Sequence, residues 1–188
     1  MKQRKSYISG FFIAVFALLL VTCEKKKDEE VDPLVGTYTF TSATLNDTVK
    51  LKLQGLDITI MPGTDAALFV SEGLLGAAPC DDSTNAAVEL KSDGKSYYAC
   101  QHETKEAQMG TWLINTERTE LQLNISNPQA FQLTVSDLNI TANSFSGTVK
   151  KFPLPLDASV ELGENLPGSA MPNIQFKSMD LTFTKVVP

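Results

Sequence analysis

The sequence predicts an all-β fold, an antiparallel up-and-down β-barrel of about eight or nine strands with one or two short helices. Apolar and polar residues alternate from Leu34 onward, as they do in strands with one buried face. An Asp93-Gly94 pair predicts a tight hairpin, and two strands shift the phase of their alternation. Such shifts indicate bulges that bend a sheet towards closure, which favours a barrel over a flat sandwich.

The individual strands follow from this alternation. In the segment ELQLNI, for example, Leu121, Leu123 and Ile125 share one face. The predicted strands are Val35–Leu45, the two arms of a hairpin that end at Lys91 and start at Lys95, Gln108–Asn115, Glu120–Ile125, Phe131–Ile140, Ser144–Phe152 and Ile174–Val187.

The turn and the two phase shifts give specific expectations of geometry. A type I′ turn centred between Asp93 and Gly94 would place Cys100 opposite Ala87. A bulge at Gly55 would account for the first phase shift, and a bulge at Ser136-Asp137 for the second.

Two segments interrupt the strand pattern. Residues 61–79 are apolar but broken by glycines, and they predict one or two helical turns after a Thr64 or Asp65 cap and again after Ser71. Residues 153–173 hold four prolines and two glycines and predict a long loop. Either segment could cover a barrel mouth.

The first residues predict export and lipid attachment. Lys2, Arg4 and Lys5 precede an apolar run, Phe11 to Val21, that is too short for a permanent membrane helix. The residues before Cys23 resemble the lipobox of bacterial lipoproteins, which implies cleavage after residue 22 and acylation of Cys23 with diacylglycerol and a fatty acid such as palmitate. An ordinary secretory peptide with a chance cysteine is the alternative.

This interpretation divides the chain into a signal peptide (1–22), a lipidated cysteine with a charged tether (23–32) and one domain (33–188). The order EKKKDEE resembles the surface-export signal of Bacteroidota lipoproteins, although a tether that merely spaces the domain from the headgroups would look similar. We expect a lipid-anchored protein of a Gram-negative outer membrane, with the cell surface favoured over the periplasmic face.

Charge excludes one class of partner. Loss of residues 1–22 removes three positive charges and no negative ones, which changes the net charge from -6 to -9. Nucleic-acid phosphates require stripes of lysine and arginine, so we expect no nucleic-acid partner.

The odd number of cysteines is explained if Cys23 carries lipid. Cys80 and Cys100 then remain as an even pair in an oxidising compartment, which predicts a disulfide. Two unpaired buried thiols are the alternative.

Several motifs together resemble the lipocalin-like (calycin) domains of small bacterial lipoproteins. They are the opening VGTYTFTSATLND, a cysteine on each side of the Asp93-Gly94 hairpin, and GTWLINTERTELQL. The resemblance implies a barrel whose interior can hold a small apolar molecule. The positions that it would point inward are Tyr38, Phe40, Trp112, Ile114, Phe131 and Leu133. A barrel of this size can equally be filled by its own side chains.

The sequence predicts no catalytic residues, no metal site and no cofactor beyond the covalent lipid. His102 is the one histidine, and a base needs a positioned partner. Asp81 and Asp82 lack the alternating spacing of a calcium loop. We therefore expect a monomeric accessory envelope protein or a binder of a small apolar ligand, not an enzyme. The alternatives are an interaction protein, such as an enzyme inhibitor, and a surface glycan-binding lipoprotein, each acting through its long loops.

Overall fold

The computed structural model describes residues 31–53, 56–155 and 174–186. The predicted signal peptide, Cys23 and nearly all of the tether lie outside the described residues, as does most of the predicted loop 153–173.

The described residues form ten strands and one short α-helix that continues as a π-helical turn. The elements are β1 (Gly36–Leu45), β2 (Val49–Leu53), β3 (Leu56–Ile60), α1 (Ala67–Val70), the π-helical turn Ser71–Leu75, a 3₁₀ turn (Ser83–Asn85), β4 (Ala86–Leu90), β5 (Lys95–Cys100), β6 (Glu106–Ile114), β7 (Leu121–Ile125), β8 (Phe131–Ile140), β9 (Ser144–Pro155) and β10 (Ile174–Lys185).

Eight of these strands close into an antiparallel barrel in the order β1-β10-β9-β8-β7-β6-β5-β4. Consecutive strands from β4 to β10 are neighbours, and β1 closes the ring between β10 and β4. The strands β2 and β3 form a separate two-stranded hairpin. The predicted all-β, antiparallel, up-and-down barrel is confirmed, and it is consistent with a lipocalin-like architecture.

Alternation of side chains builds the core. Along β7, Leu121, Leu123 and Ile125 are buried, and the intervening Gln122 and Asn124 are partly exposed. The same period holds along β5, where Ser96, Tyr98 and Cys100 point inward. Each of the eight barrel strands contributes inward residues to one hydrophobic cluster.

The β4–β5 turn differs from the predicted type I′ turn. Only Gly94 has a positive φ, 77°, and Lys91 N–H donates to Lys95 C=O. The loop is therefore three residues long with glycine in the left-handed position, a common hairpin form. The longer loop moves the register by one residue, so Cys100 lies opposite Ala86 and not opposite Ala87.

One predicted bulge is confirmed and the other is wrong. The β8–β9 register shifts between Ser136 and Asn139, and Asp137 there has a φ of 52°. The phase shift around residue 55 has another cause, since β2 and β3 are the two arms of a hairpin. Odd positions of β2 pair with even positions of β3, so Val49 faces Ile60 without any bulge.

The end of the barrel where β1 begins, here called the proximal end, is covered by the turn that precedes it. Leu34 in this turn is fully buried. Asp32 accepts two hydrogen bonds from the Arg118 guanidinium, at 2.8 and 2.9 Å, and Lys185 Nζ donates to the Pro33 carbonyl at 3.1 Å. A paired Arg–carboxylate fork fixes orientation as well as distance. It ties the entry of the chain to the β6–β7 loop.

The opposite end, here called the distal end, is covered by the segment 64–75. Ala66 N–H donates to Ala43 C=O, and Leu45 N–H donates to Thr64 C=O, so residues 64–66 run along the β1 edge. Val70 and Leu74 are buried, and Gly73 lies against the Phe152 ring. Asp65 accepts a hydrogen bond from Ala67 N–H at 2.8 Å, but it precedes the N-cap of α1, which is Ala66 and has no side-chain cap. One continuous helical segment replaces the two possible turns.

The Asp32–Arg118 pair should make stability depend on pH. The hydrogen bond from Arg118 holds the pKa of Asp32 below its usual value of 3.8, against a smaller effect of burial. A lowered folded-state pKa stabilises the fold above the unfolded pKa, and this contribution is lost as pH falls through the folded pKa. We expect Asp32→Asn to lower the free energy of unfolding by about 0.5–1 kcal/mol at pH 7, because the pair is partly exposed.

Urea unfolding at pH 7 and near pH 2.5 would test this expectation, with Glu117→Gln as a control that removes an exposed acid from the same loop. The difference between Asp32→Asn and the wild type should shrink at the lower pH. An equal difference at both values would contradict the assignment.

Candidate functional site

The six predicted ligand-lining residues lie in one core cluster. Tyr38, Trp112 and Leu133 are buried, with 2%, 8% and 1% of their surface exposed. The other three, Phe40, Ile114 and Phe131, are partly buried and pack against the same cluster. The structure brings the predicted positions together, and whether any of them contacts a ligand stays a prediction.

The interior around these residues is packed. Tyr38 and Phe145 meet edge to face with ring centroids 4.9 Å apart, and Phe145 stacks on Phe183 at 5.0 Å. Met109 and Leu121 have no exposed surface. Around these five side chains the interior is closely packed.

The polar atoms of the interior are directed to backbone carbonyls. Tyr98 OH donates to Asn127 C=O at 3.0 Å, and Trp112 Nε1 donates to Lys91 C=O at 2.9 Å. Burial raises the pKa of Tyr98 to about 12. The Ser96 hydroxyl is the exception, since it is buried and has no hydrogen-bond partner among the described residues. Ser96 lies opposite Gly110 on β6. Gly110 has no room for a side chain, because an added Cβ would collide with the Asn124 carbonyl oxygen.

The outer wall of the barrel, in contrast, carries a groove of about 570 Å³, here called the outer groove. Its floor is formed by β4 and β5, with Glu89, Ala99 and Cys100. One wall is the start of β1 with the end of β10, and the other is the loop 101–105. The lining residues are Gly36, Thr37, Glu89, Ala99, Cys100, Gln101, His102, Glu103, Thr104, Lys105, Glu106, Lys185 and Val186.

A disulfide holds the loop wall of this groove. Cys100 is bonded to Cys80, as predicted, and the Cα atoms are 5.4 Å apart. Next to it, Gln101 N–H donates to Asn85 C=O at 2.8 Å, and Cys100 N–H donates to Lys105 C=O at 3.2 Å. The loop 101–105 is thereby fastened at both of its ends.

Ion pairs fix the same loop from the side. Asp81 N–H donates to the Glu103 carboxylate at 3.2 Å, and Lys105 forms ion pairs with both Asp81 and Glu103. Asp82 accepts hydrogen bonds from the backbone and the hydroxyl of Thr84. The two adjacent acids that could suggest calcium are therefore used in the turn. No group of three or more metal-binding side chains occurs in the part of the chain that the structure describes.

The outer groove presents both signs of charge. Glu89 and Glu106 share Lys91, whose Nζ lies 3.6 and 3.0 Å from their carboxylates. Lys185 and Lys105 supply positive charge on opposite walls. Such a surface can bind a polar molecule through charge-assisted hydrogen bonds.

His102 lies on the loop wall, exposed, in a left-handed conformation with a φ of 64°. Histidine tolerates this region better than most residues. His102 shares the lining of the outer groove with Thr37 and Lys185, which lie far from it in the chain.

Sequence reasoning missed the outer groove and the Arg118 pair. The groove joins residues that are far apart in the chain, and their meeting depends on strand register. The sequence did contain a clue to the role of Arg118, because it is the only arginine in the predicted domain; the other, Arg4, lies in the predicted signal peptide.

A search for helices that could span a membrane finds none in the described part of the chain.

The packed interior leads to a direct test with Leu133→Ala. Truncation of a buried leucine leaves a cavity and should lower the free energy of unfolding by about 2–5 kcal/mol. Benzene should restore part of this loss, since apolar cavities bind it. Palmitate should leave the melting temperature of the wild type unchanged.

The matched control is Leu113→Ala, which truncates an exposed leucine on the outer face of β6. It should change stability little. A saturable stabilisation of the wild type by palmitate would show that the interior opens to ligands, contrary to its packing.

Comparisons with known proteins add no identification: no family model, no curated protein and no solved structure matches the chain.

Proposed function

We propose that the chain is an accessory envelope lipoprotein, held in the outer membrane of a Gram-negative bacterium by acylated Cys23, and that its lipocalin-like barrel binds a polar ligand in the outer groove. The lipobox, the short apolar run before it and the charged tether after it support the anchoring. The chain then acts as a binding module and not as an enzyme.

The main support for the outer groove as the binding site is the difference in free space between the interior and the outer wall. The interior side chains leave no accessible surface at Met109 or Leu121, whereas the outer wall holds about 570 Å³ of space. Volumes of this size are typical of small-molecule sites. We therefore take the outer groove as the candidate site, and uptake of an apolar ligand by the barrel stays a prediction.

The charges of the groove indicate the class of ligand. Carboxylates of Glu89, Glu103 and Glu106 and ammonium groups of Lys105 and Lys185 line the same space. Lys105 is paired with Glu103 on the loop wall, and Lys185 lies on the opposite wall. A molecule with both a positive and a negative group, such as a short peptide, matches this pattern better than a fatty acid does.

A second candidate is the interaction protein that the sequence also suggested. The distal end exposes Met61, Leu68 and Phe176, each with more than half of its surface accessible. Exposed large apolar residues at one end of a barrel favour a protein partner there. An inhibitor or a glycan-binding lipoprotein would use this end and leave the outer groove empty.

The anchoring is tested by Cys23→Ser. The variant lacks the sulfur that accepts diacylglycerol, so we expect the protein to leave the membrane fraction and to lose the mass of its acyl chains. Fractionation and intact mass spectrometry measure both effects. Cys80→Ser with Cys100→Ser is the control, since it should stay with the membrane. An unmodified wild-type Cys23 would contradict the proposal.

The groove is tested by Ala99→Trp, which fills the floor between the two walls. The probe is the dipeptide lysylglutamate, and ligand that binds only the folded state raises the melting temperature. We expect a saturable rise for the wild type and for Thr111→Trp, an exposed position on β6, and no rise for Ala99→Trp. An equal rise in all three proteins would place binding elsewhere.

A further inference from the structure

The wall of the barrel is not paired along its whole length. The pairing of β8 with β9 ends at Val135 and Val149. Towards the distal end, residues 131–134 of β8 pair with β7 alone, and residues 152–155 of β9 pair with β10 alone. The two strands therefore leave a break in the wall, here called the β8–β9 gap, and each presents an edge to it that no described strand occupies.

A bulge on β9 lies where this gap begins. Lys150 and Lys151 together lie opposite Ser178 of β10, at a shift in the register. Two residues against one is the pattern of a β-bulge, which bends a strand and can end its pairing. Beyond the bulge, Phe152 and Leu154 are buried at the distal end. The bulge thus marks the point at which β9 parts from β8.

The β8 edge of the gap is suited to one more strand. In an antiparallel strand, every second residue directs its N–H and C=O groups to the same side. Residues 131–134 make no backbone hydrogen bond outside the β7 ladder in the part of the chain that the structure describes. Their sequence, FQLT, holds neither lysine nor proline, the residues that protect strand edges. Gln132 is exposed and Thr134 is half-buried, so solvent reaches this edge.

The β9 edge supplies charge. Lys150 and Lys151 follow directly on the last β8–β9 pair, and both are exposed. Neither ammonium group forms an ion pair with a described residue. Lysines discourage pairing along the edge that they occupy, so β9 itself is a poor template. They are placed instead to meet carboxylates of a strand added to β8.

We propose that the β8–β9 gap binds an extended acidic peptide segment of another protein, which pairs with the β8 edge as an added strand. Main-chain hydrogen bonds to residues 131–134 supply affinity, and Lys150 and Lys151 select carboxylates over ammonium groups. Side chains of a strand alternate between two faces. One face of the peptide continues the outward row of Gln132, beside the lysines, and the other continues the inward row of Leu133. The segment that fits best alternates acidic and apolar residues.

This site is separate from the outer groove. The groove lies over β4 and β5 and shares no lining residue with the β8–β9 gap. Peptide binding in the gap therefore rests neither on a ligand in the groove nor on lipid at Cys23.

The test uses the full chain in detergent and a labelled, terminally blocked peptide, Glu-Val-Glu-Val-Glu, with binding measured by fluorescence anisotropy. We expect saturable binding of this peptide and little binding of Lys-Val-Lys-Val-Lys. Lys151→Glu should weaken the acidic peptide about fivefold, and Lys150→Glu added to it should reverse the preference between the two peptides. Lys50→Glu, which reverses an exposed lysine on β2, is the matched control and should bind both peptides as the wild type does.

Two N-methylated peptides separate strand pairing from attraction between charges. One carries N-methyl groups on its valines and the other on its glutamates, so their charges are equal. Because alternate residues of a strand direct their N–H groups to opposite sides, one of these two sets faces β8. At least one of the two peptides should bind about tenfold more weakly than the parent, through loss of its hydrogen bonds.

Three results would overturn the proposal. The first is the absence of saturable binding of the acidic peptide. The second is equal binding of the parent and both N-methylated peptides, which would leave a surface that recognises charge alone, as an anionic membrane does. The third is a wild-type dimer that the acidic peptide dissociates, which would assign the β8 edge to a second copy of this chain.

A failure of the outer groove gives a different result. Ala99→Trp, which fills the groove, should bind the acidic peptide as the wild type does. Unchanged melting temperatures show that each variant folds.

Discussion

The closed hydrogen-bond ladder is the constraint on which the rest of this molecule depends. Each of the eight barrel strands has a neighbour on both sides, so each side chain must point either to the interior or to the outer wall. A shift of one residue would exchange the two sets. The shift at Ser136 to Asn139 is absorbed by a bulge, and the β4–β5 register is set by Gly94. Position in the ladder therefore decides both burial and exposure.

Closure also determines which residues line the outer groove. Inward positions carry closely packed aromatic and aliphatic side chains, and the turn at Leu34 and the segment at Val70 cover the two ends. Close packing holds the strands in fixed positions. The loops and strand ends on the outer wall are fixed in turn, and the outer groove lies among them.

Most of the fold could be predicted from the sequence, but little of the candidate site could. Alternation in segments such as Leu121 to Ile125 depends on burial alone, so it could be seen without the structure. The two errors came from turns, where one residue more or less reverses the phase: the loop at Gly94 is longer than predicted, and the shift near residue 55 is a hairpin. The outer groove could not be predicted, because Thr37, Glu89 and Lys185 meet only through register.

The disulfide has a consequence for the maturation of the protein. Cys100 is the last inward residue of β5 and also the first fixed point of the loop that forms one wall of the groove. On the proposed export route the chain starts in a reducing cytoplasm, where the link to Cys80 would be absent and that wall would lack its covalent support. The proposed binding in the groove would then depend on oxidation outside the compartment of synthesis.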